Sequence, residues 1–420
     1  YKPGFMRKLL AFFEPIFTTV SLVLYSGGVL TVILSGGRSE GDVIQEFDSS
    51  LSRLLFVLIY LVTFFLLTLR WKKVLYVLSK DRWLNLLVGI AVVSIFWSSE
   101  PTTTINRAVA LIGTTLFGVY LASRYTIKEQ LEMLGWAFGV AVLLSFMFIV
   151  ALPKYGIMGG VHAGTWRGIY VHKNVLGKVM VPSAVVFLLL AIRGKKNNLL
   201  FWGGFGFSVI LLLFTTSKTA LVSLIIMLLS LYLYRMLRWR YDLLIPTIFA
   251  MTTFGGSVLI WLLDNADALL GAIGKDATLT GRTELWPFVL DMINKQPWLG
   301  YGYGSFWNGF NGESAYVWRA VLWPAPNAHN GLLDLWLALG ILGVSIYLIG
   351  FSFSLLRAIA WLRVSKTSEN LWPLLFLTYT VLANITETSV MIQNNIFWVL
   401  YTSVALSVLI PLERQPNLLK

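Results

Sequence analysis

Long apolar runs alternate with short polar breaks along this chain, and the runs have the length of membrane helices. The stretch "LLFVLIYLVTFFLLTL" (54–69) contains no charged residue. Crossing about 30 Å of hydrocarbon takes roughly 20 apolar residues in a helix. Twelve stretches approach that length: 14–34, 51–69, 83–98, 107–123, 131–152, 174–192, 199–214, 218–234, 243–263, 328–350, 371–385 and 395–411. Such continuous runs exclude a transmembrane β-barrel, whose strands alternate apolar and polar positions over about ten residues. The expected fold is an all-α integral membrane protein with about 12 transmembrane helices. The start, "YKPGFMRKLLAFF", has the basic-then-apolar order of a signal peptide. No small-residue cleavage site follows it, so it reads as a retained first helix.

Composition sharpens this picture. Of 420 residues, 57% are hydrophobic and only 13% charged, against about a quarter charged in soluble domains. Mean hydropathy is +0.74. The formal charge of +13 invites a nucleic-acid reading, but its distribution argues for topology. Basic residues in short loops mark the cytoplasmic side. "RWKKVLYVLSKDR" (70–82), "RGKK" (193–196), "RMLRWR" (235–240) and "RAIAWLRVSK" (357–366) all fall on one side, with Lys2, Arg7 and Lys8. The acidic "GGRSEGDVIQEFD" (36–48) and polar "SSEPTTTIN" (98–106) fall on the other. Both termini are therefore expected in the cytoplasm. With no cysteine there is no disulfide framework and no thiolate metal site.

Two outer connections break the charge rule. One is 153–173. The other, 264–326, is the only long connection in the chain, and long loops are uncommon unless functional. It carries a helical pattern at 281–296, "GRTELWPFVLDMINKQ", then the turn-rich "PWLGYGYGSFW", and ends in "WPAPNAHNGLLDLW" before a helix that begins near Asn327. Of the three histidines, His162 and His172 lie in the first connection and His329 sits at the end of the second, where the next helix starts. An imidazole exchanges its proton near neutral pH, so a general base is one reading and a simple interfacial preference is the other. His329, at a helix start, is the candidate for chemistry; His172 is a neighbour of the site. No HxxxH or HExxH pairing is present, and no metal or other cofactor is expected.

The same face carries Arg107, Arg167, Lys173, Lys178, Lys218, Arg282 and Arg319. Charge at membrane depth is costly and tends to be functional. Arginine grips phosphate oxygens with two donors, whereas lysine acts as a point charge. Arg167 and Arg282, each beside a glycine in an aromatic-rich stretch, suit a lipid-linked diphosphate, with Lys173, Lys218 and Arg107 as helpers. Snorkelling toward head groups accounts for Lys178 and Arg319. Trp166 and the aromatics of "GYGYGSFW" read either as an interfacial belt or as platforms for sugar rings.

"WRGIYVHKN" (166–174), "SKTALV" (217–222), "GRTELW" with "PWLGYGYGSFW", and "AHNGLLDLWLALGILG" (328–343) follow one another in an order that resembles the O-antigen ligase and polymerase superfamily. The resemblance covers 164–345, inside a single polytopic domain spanning 1–420. "HKN" followed by "SKTA" is more similar to the exopolysaccharide polymerase branch. The resemblance implies a GT-C-like, metal-independent glycosyltransferase on the periplasmic face of a bacterial inner membrane, and a backside attack there would invert the anomeric centre. Its donor would be a glycan on undecaprenyl diphosphate. Its acceptor would be another lipid-linked repeat for a polymerase or lipid A-core for a ligase. A chain-length regulator is a further candidate partner, and no nucleic acid is expected. Arg167 and Arg282 match the arginines tied to diphosphate binding, and His329 matches the catalytic histidine. Lys173 and Lys218 match less uniform basic positions.

On this reading His329 takes or orients the acceptor proton. Glu284 is an alternative base, or else holds Arg282 by an ion pair. Asn330, Asp334, His172, Asn174 and Trp166 support the site or contact sugar. Rival classes are a peptidoglycan-type glycosyltransferase, a transporter or flippase, and a scaffold subunit. A transporter is expected to place its binding groups at midplane within internal repeats. No repeat is visible here, and the polar groups gather at one face.

Overall fold

The computed structural model describes residues 3–28, 30–34, 36, 50–194, 198–264, 282–365 and 367–410. The acidic stretch expected on the outer side (37–48), part of the long connection (265–281) and the side chain of Arg282 lie outside the described residues.

Apart from one isolated β-bridge, the regular structure among the described residues is helical. The first half contains α1 (Pro3–Tyr25), α2 (Leu30–Leu34), α3 (Ser50–Thr68), α4 (Trp71–Leu78), α5 (Arg82–Val93), α6 (Pro101–Arg124), α7 (Ile127–Ala151) and α8 (Pro153–Gly156). The second contains α9 (Lys173–Ile192), α10 (Asn198–Phe214), α11 (Lys218–Met236), α12 (Tyr241–Asp264), α13 (Arg282–Lys295), α14 (Ala315–Val321), α15 (Gly331–Val364), α16 (Trp372–Thr386) and α17 (Ile396–Ser407). Each of the twelve apolar stretches contains a helix. Among the described residues six helices are long and apolar enough to cross a membrane: α3, α6, α7, α9, α11 and α15.

Which helices face lipid follows from burial, because every one of them is apolar. All of α17 and nearly all of α9 are buried, so these two helices form the centre of the bundle. On α3 the outward residues Leu54, Leu58, Leu61, Phe64 and Phe65 stay exposed, which is stable only against lipid. Helix ends are stopped by side chains. Thr126 and Glu129 form a reciprocal capping box at the start of α7. Opposite the site, the 3% exposed carboxylate of Glu14 on α1 receives Arg70 at 2.7 Å and Arg124 at 2.9 Å.

Helix α15 departs from the expected single span of 328–350. It starts at Gly331, runs on to Val364, and is interrupted at Gly340, where φ is 66° and ψ is −171°. The interruption frees backbone groups that hydrocarbon cannot satisfy. The "PWLGYG" segment supplies their partners. Tyr301 N and Gly302 N donate to the carbonyls of Leu337 and Ala338 at 2.8 and 3.0 Å, while Ile341 N donates to Pro297 O at 2.8 Å. The two backbones approach so closely that a Cβ on Gly340 would sit 2.1 Å from Trp298 O, and one on Gly300 2.5 Å from Leu337 O. Glycine is required at both positions by space and by positive φ.

Candidate functional site

His329 precedes α15 with its backbone in the left-handed region at φ 50°, which is uncommon for a residue with a Cβ. The surrounding loop is bound tightly enough to hold it there. Asn327 Oδ1 accepts from His329 N at 2.9 Å, and Asn330 Oδ1 caps α15 by accepting from Leu332 N and Leu333 N. One turn into α15 the half-buried Asp334 carboxylate accepts from Ala328 N at 3.0 Å, from Trp307 Nε1 at 2.8 Å and from the Thr388 hydroxyl. From the other side Trp286 Nε1 donates to Ala328 O at 3.0 Å. Trp286 lies one helical turn beyond Arg282, so the first turn of α13 is seated against the His329 loop. The imidazole Nδ1 stands 3.4 Å from Glu387 Oε2, in the turn after α16. Both side chains remain about a fifth exposed, at 20% and 24%, which leaves the pair reachable.

Beside this loop opens a cavity of about 690 Å³. Asn327, Asp334 and Thr388 form part of its wall, joined by Phe306, Trp307, Phe310 and Trp318 from the connection that roofs it. Arg107 lines the cavity from α6, with its NH1 donating to Gly304 O at 2.8 Å. Aromatic faces with amides, a carboxylate and a guanidinium are a lining suited to a polar ligand with apolar ring faces. A second recess of about 30 Å³ is lined by Glu387 with Asn174, Lys178, Ser217, Thr219 and Thr386.

The predicted residues divide between two groups, one around the connection 153–173 and one around the His329 loop. Asn330 and Asp334 meet at the His329 loop, Arg107 lines the 690 Å³ cavity, and Asn174 lines the small recess with Glu387. Asn330 Oδ1 serves as a helix cap, the local reason for its place beside the histidine. Glu284 is exposed near the start of α13. Lys173 Nζ donates to Thr216 Oγ1 at 3.3 Å, bringing the "HKN" and "SKTA" segments together, and Lys218 is exposed at the start of α11.

Arg167 has a different job from the expected one. It is 0% exposed, and its guanidinium donates to the carbonyls of Tyr155 (2.7 Å), Lys154 (3.1 Å) and Val171 (3.4 Å). Burial pushes its pKa down from the ordinary arginine value. In this arrangement the group clamps its own loop and presents no surface to a diphosphate. Trp166 stacks on Phe214 with ring centroids 4.1 Å apart, so it serves packing. His172 caps α9 by accepting from Asn174 N at 3.1 Å, and its ring lies 5.5 Å from that of His162.

Two residues escaped the sequence reading. Glu387 sits in "ITETSV", which reads as an ordinary polar turn. Lys178, read as a snorkelling lysine, instead points into the bundle: its Nζ donates to Thr388 O at 3.0 Å and lies 5.0 Å from the Phe397 ring centroid.

Comparison with known proteins adds a family to this geometry. Residues 203–348 match the O-antigen ligase family (Wzy_C). That segment contains Lys218, Arg282, Glu284, His329, Asn330 and Asp334, and the roof of the large cavity. A curated relative is the exopolysaccharide production protein ExoQ of Rhizobium meliloti (strain 1021). It is 27% identical over 265 residues, covering 59% of this chain and 58% of ExoQ, so the match spans less than two thirds of that relative. Both findings agree with the superfamily that the motifs resemble, and the second agrees with its exopolysaccharide branch.

Proposed function

We propose that the protein is a membrane glycosyltransferase that moves a glycan from undecaprenyl diphosphate to a sugar hydroxyl on the periplasmic face of a bacterial inner membrane. The polymerisation of exopolysaccharide or O-antigen repeat units is the preferred reaction. The observation that carries this reading is His329, fixed in a left-handed backbone beside a 690 Å³ cavity walled by Asn327, Asp334, Thr388 and aromatic side chains. Asn327, two residues before His329, lines the cavity, and His329 is the one histidine in the segment 203–348; an acceptor held against that wall is proposed to present its hydroxyl to the imidazole.

In the reaction the acceptor O–H bond breaks and its proton passes to the imidazole. The acceptor oxygen bonds to the anomeric carbon from the face opposite the leaving group, inverting that centre. The anomeric C–O bond breaks, and its electron pair leaves on the lipid diphosphate. Arg282, at the head of α13, and Arg107, on the cavity wall, are assigned to meet the growing negative charge. Lys173 and Lys218 assist from the "HKN" and "SKTA" segments. Arg167 acts indirectly, by holding the loop that leads into α9.

The family description supports a second reading: an O-antigen ligase would use the same site with lipid A-core as the acceptor. Purified protein incubated with lipid-linked repeat units alone separates the two. A ladder of products is expected from a polymerase, and its absence unless lipid A-core is added would reverse the preference. For the reading as a whole, His329→Ala in a strain lacking the gene is expected to abolish long-chain polysaccharide. Normal chain lengths from that variant would sink it.

A further inference from the structure

The turn from Thr386 to Val390 is where three helices meet behind the proposed base. Asn384 Oδ1 on α16 accepts from Ser389 N at 2.8 Å and Val390 N at 3.2 Å, fixing the turn to its own helix. The Thr388 hydroxyl donates to Asp334 on α15, and the Thr388 carbonyl accepts from Lys178 Nζ on α9. Tyr379 returns along α16 to donate to the Lys178 carbonyl at 2.5 Å. A backbone held from three sides gives Glu387 a defined reach, and that reach ends 3.4 Å from His329 Nδ1.

We propose that Glu387 is the positioning residue of His329 and that Lys178 fixes the turn from which it acts. This inference rests on the glycosyltransferase reading of the site. With the carboxylate accepting from Nδ1–H, the lone pair is placed on Nε2, which becomes the atom that takes the acceptor's proton. The imidazolium formed as the acceptor attacks then has a carboxylate beside it. Among the described residues, the charged groups facing the imidazole are Glu387 from the turn after α16 and Asp334 from α15, with the Lys178 ammonium of α9 behind Glu387. Asp334 already serves Ala328, Trp307 and Thr388, which leaves Glu387 as the orienting partner. The small recess lined by Lys178, Asn174 and Glu387 links this support to the "HKN" segment at the head of α9.

The test uses full-length purified protein with lipid-linked repeat units, measured from pH 5 to pH 9. E387Q is expected to lower kcat about 100-fold at pH 7 with KM for the donor within about twofold. The acidic limb of its pH–rate profile should move to lower pH, because a neighbouring negative charge has been removed from the imidazole. Lys178→Met should lower kcat about 10-fold, and the double variant should be no worse than E387Q alone, as expected for residues acting as a unit. A wild-type profile and rate in E387Q would overturn the proposal while leaving the function standing. An active His329→Ala would overturn the function itself. Should E387Q fail to fold, E387D keeps the charge and shortens the reach. Lowered kcat with the acidic limb in its wild-type position is then expected, and full activity would refute the positioning role. Multiplying losses in the double variant would remove Lys178 from the account.

Discussion

The loops around Arg167 and His329 look alike in sequence, yet they use their polar residues in opposite ways. Both interrupt apolar runs on the same expected face, and both mix glycine, aromatics and a basic or titratable residue. In the first loop the ionised group points inward and is consumed by the carbonyls of residues 154, 155 and 171. In the second, the loop is tied by side chains around the titratable group, which stays reachable beside a cavity. A cation at membrane depth is therefore not evidence of a ligand until its donors have been accounted for.

Four substitutions sharpen or break that contrast. The largest effect is expected from His329→Ala: a loss of activity of 10²-fold or more with thermal unfolding, followed by tryptophan fluorescence, close to wild type. A variant that instead melts early would place the histidine among the structural residues. Arg167→Ala is expected to do the reverse. It strands buried carbonyls and costs about 3 kcal/mol or more, so the protein should accumulate poorly in the membrane. Arg167→Lys should fail almost as badly, because one ammonium cannot span three acceptors. A stable, inactive Arg167→Lys protein would return Arg167 to the list of diphosphate ligands. Asp334→Asn lies between the two. It replaces a carboxylate oxygen with a donor facing other donors, which should cost about 1–3 kcal/mol and lower activity about tenfold together. Trp166→Phe should matter least: the stack on Phe214 survives, so activity within about twofold is expected, and a large rise in KM would point to sugar contact instead.

The sequence alone shows a good deal of this. Every apolar stretch holds a helix, and "GRTELWPFVLDMINKQ" forms α13 almost to the residue. Composition cannot show which way a side chain turns on a helix that is apolar all round. Lys178 sits near the end of such a helix, where snorkelling is the ordinary reading, and only the packing of α9 against the turn after α16 directs it inward. Glu387 is hidden for a related reason. Its partner is 58 residues away, and nothing in "ITETSV" announces that its turn comes back to the start of α15. The dual nature of Asn330 is local and readable afterwards: an asparagine just before an apolar helix is a cap first. The break at Gly340 escaped because "LALGILG" reads as uninterrupted lipid-phase helix, and its partner segment belongs to a different part of the chain.

That break makes the length of one loop a structural ruler. Pro297, Trp298, Tyr301 and Gly302 are bonded to the backbone of α15, with donors and acceptors on both sides of Gly340 in fixed register. An inserted or deleted residue in this stretch would slide the register and strand backbone groups within the apolar layer. Sequence there can drift only where it leaves the count unchanged, whereas the exposed Arg319 on α14 sits outside that register. The spacing from Pro297 to Gly302 is therefore a test that any designed chimaera between this chain and a relative must pass before its chemistry is assayed.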